Sequence, residues 1–187
     1  MLSRLIAVTA LVLSASVAAQ TPLPATPQPM ATFAFEDKDW GIEPISTPKK
    51  SAYHAPTPTT IPGARVIKTL ELKALLAANK EVLVIDVLDG QSRKTIPGAH
   101  WMPGVGSGQF YRADKIKFAT TLDRLSGGNK ARPLVFLCVG AECWLSYNSA
   151  LHALEAGYTD VLWYRGGTNS WTGASQPSRP PERAAEW

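Results

Sequence analysis

From residue 65 onward, short apolar runs alternate along the chain with segments whose apolar residues recur at the spacing of a helix. Residues 81–87 and 134–139 are nearly continuous apolar runs, which are typical of strands buried on both faces of a sheet. Short apolar segments predict three more strands. They are residues 65–67, 99–102 and 161–164.

Between these strands, apolar residues recur at the spacing of a helix face. The segments carry Leu72, Leu75 and Leu76; Phe118, Leu122 and Leu125 within 114–125; and Tyr147, Ala150, Leu151 and Leu154 before Gly157. Strands that alternate with helices indicate an α/β fold with a parallel sheet covered on both faces. Functional sites in such sheets form at the carboxyl ends of the central strands, which directs attention to the loop after Val139.

The N-terminus has the layout of a secretory signal peptide. Arg4 precedes an apolar run over residues 5–17, which is followed by small residues up to Ala19. We expect cleavage after Ala19, giving a signal peptide at 1–19 and a periplasmic protein. An uncleaved membrane anchor is the alternative, although the run is short for a span of ~20 residues.

Proline marks the next segment as an arm without regular structure. Residues 20–62 hold nine of the fifteen prolines, which remove the backbone donors that helices and sheets need. We expect an extended or loosely draped arm, part of which packs on the domain surface. That expectation rests on aromatic residues unusual in a spacer: Phe33, Phe35, Trp40 and Tyr53. The domain would then occupy 63–176, followed by a C-terminal tail at 177–187.

Composition and charge exclude several classes of protein. With 45% hydrophobic and 18% charged residues, the chain is not disordered throughout. The formal net charge is +4 and the basic residues are scattered, so no nucleic-acid partner is expected. Once the signal peptide is removed, we expect no membrane span.

Five motifs in order resemble those of a rhodanese-like domain. They are Val-Ile-Asp-Val at 84–87, Ile-Pro-Gly-Ala-His at 96–100, Val-Phe-Leu-Cys at 135–138, Ala-Gly-Tyr at 156–158, and Arg-Gly-Gly at 165–167 with Trp171. The resemblance implies a five-stranded parallel sheet with helices on both faces. It also implies sulfurtransferase chemistry, in which a thiolate attacks a sulfane sulfur to give a cysteine persulfide.

The chain is most similar to an exported branch of this family that is named for a Cys-x-x-Cys-Trp motif. The shared segments are Tyr-His-Ala-Pro-Thr-Pro at 53–58, Trp-Met-Pro-Gly-Val-Gly at 101–106 and Cys-Trp-Leu-Ser-Tyr-Asn at 143–148. This resemblance implies a role in quinoprotein-linked alcohol or amine catabolism that depends on pyrroloquinoline quinone. The implied partners are a periplasmic quinoprotein dehydrogenase or a small-molecule ligand.

Cys138 and Cys143 are the candidate catalytic residues, in a Cys-x4-Cys-Trp arrangement. An even cysteine set in an exported protein favours a disulfide, and Gly140 allows the loop to turn back. Such a bond would be either static or redox-active. In the alternative geometry, Cys138 points into the core, Cys143 faces solvent, and both thiols are free.

The composition of the loop is unfavourable for an anionic sulfur donor. The candidate loop or substrate-binding residues are Gly140, Ala141, Glu142, Trp144 and Arg165. No Lys or Arg lies in the loop itself, and Glu142 would repel both a thiolate and thiosulfate. Two alternatives therefore stay open: a sulfurtransferase with Cys138 as nucleophile, and a non-catalytic binding module. A phosphatase is excluded, because Trp144 and Ser149 stand where phosphatases of this fold need an Arg.

Three further groups have a structural and a functional interpretation. Asp86 ends a central strand and is expected to cap loops rather than to react. No metal is expected, since His100 should lie at a strand end and His152 on a helix surface, without metal-ligand spacing. The tryptophans near strand and loop ends either pack or form an aromatic wall for a quinone. They are Trp101, Trp144, Trp163 and Trp171.

Overall fold

A parallel sheet forms the centre of the protein. The computed structural model describes residues 33–78, 81–90, 92–184 and 187, so the expected signal peptide and the first part of the arm lie outside the described residues. All sheet neighbours pair in parallel, in the order β1-β5-β4-β2-β3-β6. The strands are β1 (Arg65–Val66), β2 (Leu83–Asp86), β3 (His100–Trp101), β4 (Leu134–Leu137), β5 (Val161–Tyr164) and β6 (Glu182–Arg183).

Among the described residues, four helices cover the two faces of this sheet; a sheet covered on both faces is what the sequence predicts, although it predicts only the first three of these helices. They are α1 (Thr69–Ala78), α2 (Arg112–Ser126), α3 (Trp144–Glu155) and α4 (Gly167–Gly173). Alternate residues of each central strand face opposite sides: Phe136 packs with α2 and α3, whereas Val135 and Leu137 pack with α1 and α4. Among the described helices, none has the length and apolar character to cross a membrane.

The expectation of five strands is wrong by one. Glu182 and Arg183, which the sequence places in a C-terminal tail, pair in parallel with β3 at the edge of the sheet. Both residues are exposed and the strand has only two residues, so no apolar pattern in the sequence predicts it. Two tail residues pack further inward: Ala184 is buried, and Trp187 lies against Phe118.

The arm from residue 33 to residue 62 has no helix or strand, yet it packs closely on the domain. Ile45, Tyr53, Ala55 and Ile61 pack against the core, and α3 side chains bind the arm's backbone. The amide and carbonyl of Ile45 both bond to the Tyr147 hydroxyl, at 2.9 and 2.6 Å. The side-chain amide of Asn148 binds the Lys49 amide and carbonyl at 2.9 and 2.8 Å. The arm therefore covers the face of α3 that would otherwise meet solvent.

Candidate functional site

The loop between β4 and α3 places both cysteines at the carboxyl end of the sheet. Cys138 directly follows β4, and Cys143 is the N-cap residue of α3. The two are joined by a disulfide with a Cα–Cα distance of 6.3 Å. The prediction that this loop brings the cysteines to bonding distance is confirmed. Both are buried, with 1% of Cys138 and 0% of Cys143 exposed.

A tight turn and the start of α4 fix the loop backbone. The Cys143 amide donates to the Gly140 carbonyl at 3.1 Å, while the Cys138 carbonyl accepts from the Thr168 amide at 3.0 Å. Gly167 has a φ of +56°, and a Cβ there would lie 2.4 Å from the Cys138 carbonyl oxygen. Only glycine suits this approach, which explains the second glycine of the Arg-Gly-Gly motif.

The arm closes the loop from the outside. The Thr57 hydroxyl donates to the Ala141 carbonyl at 2.6 Å, and the Thr57 amide reaches the same oxygen at 3.2 Å. The Tyr53 carbonyl accepts from the Trp144 amide at 2.8 Å, which satisfies a donor at the N-terminus of α3. The Trp144 indole donates to the Pro56 carbonyl at 3.0 Å. The Tyr-His-Ala-Pro-Thr-Pro motif is thus the part of the arm that covers the disulfide loop.

Arg165 holds the arm and does not line the cavity beside the loop. Its side chain, only 1% exposed, donates four hydrogen bonds to the arm. Its acceptors are the carbonyls of Glu36 (2.7 Å), Lys38 (2.7 Å) and Thr57 (3.0 Å) and the Thr57 hydroxyl (3.1 Å). Burial lowers the pKa of the guanidinium. The expectation that Arg165 binds substrate is therefore not supported, because three carbonyls and one hydroxyl of the arm already occupy these donors.

A cavity of about 830 Å³ opens beside the loop. Its wall combines residues 139–142 of the loop with residues 168, 169, 172 and 173 of α4, and the arm adds Phe35 and Trp40. Phe35 is 72% exposed, whereas Trp40 packs under the Arg165 guanidinium at 5.1 Å. Of the predicted loop residues, Gly140, Ala141 and Glu142 line the cavity. Trp144, Arg165 and both cysteines are absent from its described lining.

The charges around the cavity are mixed. Glu142 is exposed on one side, and Arg93 and Lys94 lie on another. Arg93 is committed to Asp86, whose two carboxylate oxygens it binds at 2.5 and 3.1 Å. Asp86 also accepts from the Leu88 amide at 3.0 Å, which fits its expected role in holding a loop. Among the described residues that line the cavity, Lys94 is therefore the cation without an ion-pair partner.

The four tryptophans do not form an aromatic wall. Each is at most 5% exposed. Each indole N–H bonds within the protein: Trp101 to the Leu88 carbonyl, Trp144 to Pro56, Trp163 to the Ser146 hydroxyl, and Trp171 to Pro177. Packing is therefore their role, and the quinone-wall interpretation is corrected. The aromatic residues that do line the cavity belong to the arm.

No group of His, Cys, Asp and Glu side chains among the described residues is arranged to hold a metal. His152 differs from its expected position, since it is only 4% exposed and lies within the packed side of α3. Its Nε2 lies 2.9 Å from the Ser107 carbonyl. Ser107 and Phe110 of the loop over residues 103–110 contact His152 and cover it.

Comparison with known proteins agrees with this topology. The family profile described as Rhodanese-like domain matches residues 68–174. This chain belongs to the rhodanese-like family. No curated protein matches the chain.

Solved structures similar to this rhodanese-like protein include a thiosulfate sulfurtransferase from Pseudomonas aeruginosa, with 22% identity, a TM-score of 0.46, and coverage of 64% of this chain and 21% of that one. This chain therefore spans about a fifth of that enzyme. A rhodanese-like domain of the Alr3790 protein from Anabaena sp. has 20% identity, a TM-score of 0.44, and coverage of 63% and 79%. A Rhodopseudomonas palustris protein described as a possible tyrosine phosphatase has 21% identity, a TM-score of 0.45, and coverage of 62% and 85%.

Sequence reasoning missed the contributions of the arm and of the segment after β2. Phe35 and Trp40 stood out as aromatic residues among prolines, but nothing in the sequence places them at the strand ends. Arg93 and Lys94 lie far along the chain from the disulfide loop. They reach the cavity because β2 is next to β4 in the sheet.

Proposed function

We propose that this rhodanese-like protein is an exported accessory protein of quinoprotein-linked alcohol or amine oxidation, and that it acts by binding a ligand or a partner. In this role the Cys138–Cys143 disulfide holds the loop in shape, and the adjoining cavity takes a small ligand or a segment of a partner dehydrogenase. One observation carries the proposal. The loop backbone borders the cavity, while both sulfur atoms belong to residues buried beneath the arm.

Sulfur transfer is not available to the oxidised protein. A persulfide forms when a thiolate attacks a sulfane sulfur, and a disulfide-bonded Cys138 has no thiolate to offer. The cavity also disfavours a dianion such as thiosulfate, since exposed Glu142 lies in its wall and Arg93 is neutralised by Asp86. These features support binding over catalysis in the exported state.

Pyrroloquinoline quinone itself fits this cavity poorly. The cofactor is a planar tricarboxylate, which calls for several cations and a flat aromatic surface. The aromatic residues Phe35 and Trp40 line the cavity, but its wall offers Lys94 as the cation without an ion-pair partner among the described residues and opposes it with Glu142, too little positive charge for three carboxylates. The proposal therefore links the protein to quinoprotein catabolism through a partner or a substrate-like ligand, without a bound quinone.

A second candidate function, sulfur transfer after reduction, is favoured by one feature of the loop. The amide N–H groups of Gly140, Ala141 and Glu142 have no acceptor among the described residues. Clustered amides of this kind stabilise anions. After reduction, the Cys138 thiolate would displace sulfite from thiosulfate to give Cys138–S–S⁻. Cyanide would then take the outer sulfur as thiocyanate and restore the thiolate.

An activity assay on the protein in two redox states separates these candidates. We expect thiosulfate:cyanide sulfur transfer at background level in the oxidised protein and little above it after reduction. Glu142→Gln, which removes the repelling charge, is the informative variant, and Cys138→Ser in the same background is its control. Robust turnover by reduced wild-type protein that Cys138→Ser abolishes would contradict the binding proposal.

Growth experiments test the catabolic role. Deletion of the gene should impair growth on an alcohol or a primary amine and leave growth on sugar unchanged. Complementation with Cys138→Ser/Cys143→Ser should restore most of that growth if the cysteines are structural. Failure of this double variant, expressed at normal levels, would instead assign the loop a redox function. Equal growth of the deletion strain on all substrates would exclude the proposed role.

A further inference from the structure

We propose that a second pocket, between α2 and α3, binds a small neutral aromatic compound carrying one hydroxyl group, with His152 Nδ1 as the hydrogen-bond acceptor. This pocket shares no lining residue with the cavity beside the disulfide loop, and the proposal does not depend on the function proposed above. Its volume is about 240 Å³. Its lining residues include Phe110, Phe118, Ala119, His152 and Glu155.

The walls of this pocket suit an aromatic ring. Phe110 stacks on the His152 imidazole with ring centroids 4.3 Å apart, and it meets Phe118 edge to face at 5.7 Å. A cavity of ~150 Å³ with apolar walls is known to hold benzene. The space between α2 and α3 is therefore large enough for a single six-membered ring with one substituent.

The tautomer of His152 leaves an acceptor without a partner. Nε2 lies 2.9 Å from the Ser107 carbonyl, which can only accept, so Nε2 carries the proton. In the neutral ring Nδ1 is then an acceptor, and it is buried without a hydrogen-bond partner among the described residues. Burial, the largest influence, lowers the pKa of His152 and so favours this neutral form.

Polar residues at the mouth show where the ligand hydroxyl would lie. Glu155 Oε2 is 3.9 Å from Nδ1, beyond hydrogen-bond distance, and as a carboxylate it has no proton to donate. Glu155 pairs with Lys115, and the two side chains are 56% and 46% exposed. Exposed pairs of this kind contribute only ~0–1 kcal/mol, so their displacement is easy. An entering hydroxyl would donate to Nδ1, and its oxygen would accept from Lys115.

Hydrogen-bond satisfaction determines the ligand class. Toluene matches phenol in shape but would leave Nδ1 buried and unpaired, which is the costly arrangement for a polar group. A charged ligand would lose its hydration against Phe110 and Phe118. The pocket therefore favours a neutral phenol or a similar aromatic alcohol.

Titration calorimetry of the full mature protein with phenol and toluene tests the proposal. We expect one saturable phenol site, with toluene binding about tenfold more weakly. Ala119→Trp, which fills the pocket, should abolish binding of both compounds. The matched control is Ala113→Trp, on an exposed part of α2 outside the pocket lining, and it should leave phenol binding unchanged.

His152→Phe keeps a stacking ring and removes the acceptor, so it should bring the affinities for phenol and toluene within about twofold of each other. Equal affinities in the wild-type protein would overturn the proposal, as would phenol binding that Ala119→Trp leaves intact. Absence of saturable binding would mean that Nδ1 binds water only, which also overturns it. If His152→Phe fails to fold, the wild-type comparison and the Ala119→Trp result still decide.

Discussion

The sheet and the arm are held to the molecule by different kinds of contact. Central strands β2, β4 and β5 are buried along their whole length, and many apolar side chains on two faces share the packing. The arm depends on a few polar side chains that reach its backbone, chiefly Arg165, Asn148 and Tyr147. The sheet should therefore tolerate the loss of one methyl group, whereas the arm should not tolerate the loss of one of these side chains.

This difference has a physical basis in how the two contacts depend on geometry. Apolar burial is non-directional and additive over area, so the loss of one methyl group leaves the remaining contacts in place. Hydrogen bonds to buried carbonyls are directional, and the loss of a donor leaves acceptors without water or partner. The arm is thus tightly attached but depends on individual residues.

The largest effect is expected from Arg165→Leu. It removes four hydrogen bonds to the arm and leaves the carbonyls of Glu36, Lys38 and Thr57 without this donor. We expect a loss of about 3 kcal/mol or more in the free energy of unfolding, measured in urea. Trypsin should also cut the arm at Lys38 or Lys49, and the disulfide should be reduced faster.

Arg65→Leu is the matched control. Arg65 is 70% exposed and makes one ion pair with Asp160, so its loss should cost under ~1 kcal/mol and leave the arm protected from trypsin. Equal stability of the Arg165 and Arg65 variants, with equal protection of the arm, would mean that the arm is held by packing like the sheet.

The same contrast explains what could be predicted from the sequence. Apolar periodicity located all five buried or half-buried strands and the three longer helices, because those elements are specified by side chains that share one face. The role of Arg165 escaped prediction because its acceptors are backbone carbonyls, which every residue carries. Asn148 belongs to a segment that the chain shares with the resembling family branch. Its contacts with Lys49 and Gly106, however, follow from the tertiary structure alone.

α3 shows the limit of the periodic pattern. Its apolar stripe predicts one buried face, but all residues from Trp144 to Ala153 are buried. The second face is covered by the arm and by the loop that contains Gly106, where a Cβ would lie 2.5 Å from the Leu145 carbonyl. His152 lies on that face and was expected at the helix surface, because nothing in the sequence indicates that this face is covered.

Asn148→Ala should have the second largest effect. The side chain is fully buried and bonds to the Lys49 amide and carbonyl and to the Gly106 carbonyl, all within 2.9 Å. We expect a loss of about 2–3 kcal/mol, with faster amide hydrogen exchange confined to the arm around Lys49. The control is Asn129→Ala at an exposed turn, which should cost less than ~1 kcal/mol. If Asn148→Ala instead raised amide exchange equally across the sheet, Asn148 would not be a local anchor of the arm.

Removing the disulfide should cost less than removing either anchor. The bond closes a loop with a sequence separation of only 5, and chain-entropy arguments give about 2 kcal/mol for so short a loop. Cys138→Ser/Cys143→Ser should unfold cooperatively at lower urea concentration and keep the arm protected from trypsin. Alkylation of two cysteines in native protein without reductant would refute the bond, and a double variant that does not fold would make the bond essential to the fold.

The smallest effect concerns pH and the buried side of α3. Burial lowers the pKa of His152 below 6.5, whereas the contact of Nε2 with Ser107 and the Glu155 charge act in the opposite direction. Because the unfolded chain then binds a proton more readily than the folded protein, the stability that neutral His152 contributes is fully present above pH 6.5 and is lost as the pH drops below it. His152→Phe should therefore show a shallower loss of stability between pH 7 and pH 5 in urea titrations. The slope that remains belongs to other groups, including His100, whose pKa burial also lowers. A steeper slope in the variant would show that His152 is stabilised in its charged form by Glu155, and that this side of α3 depends on a single polar contact, as the arm does.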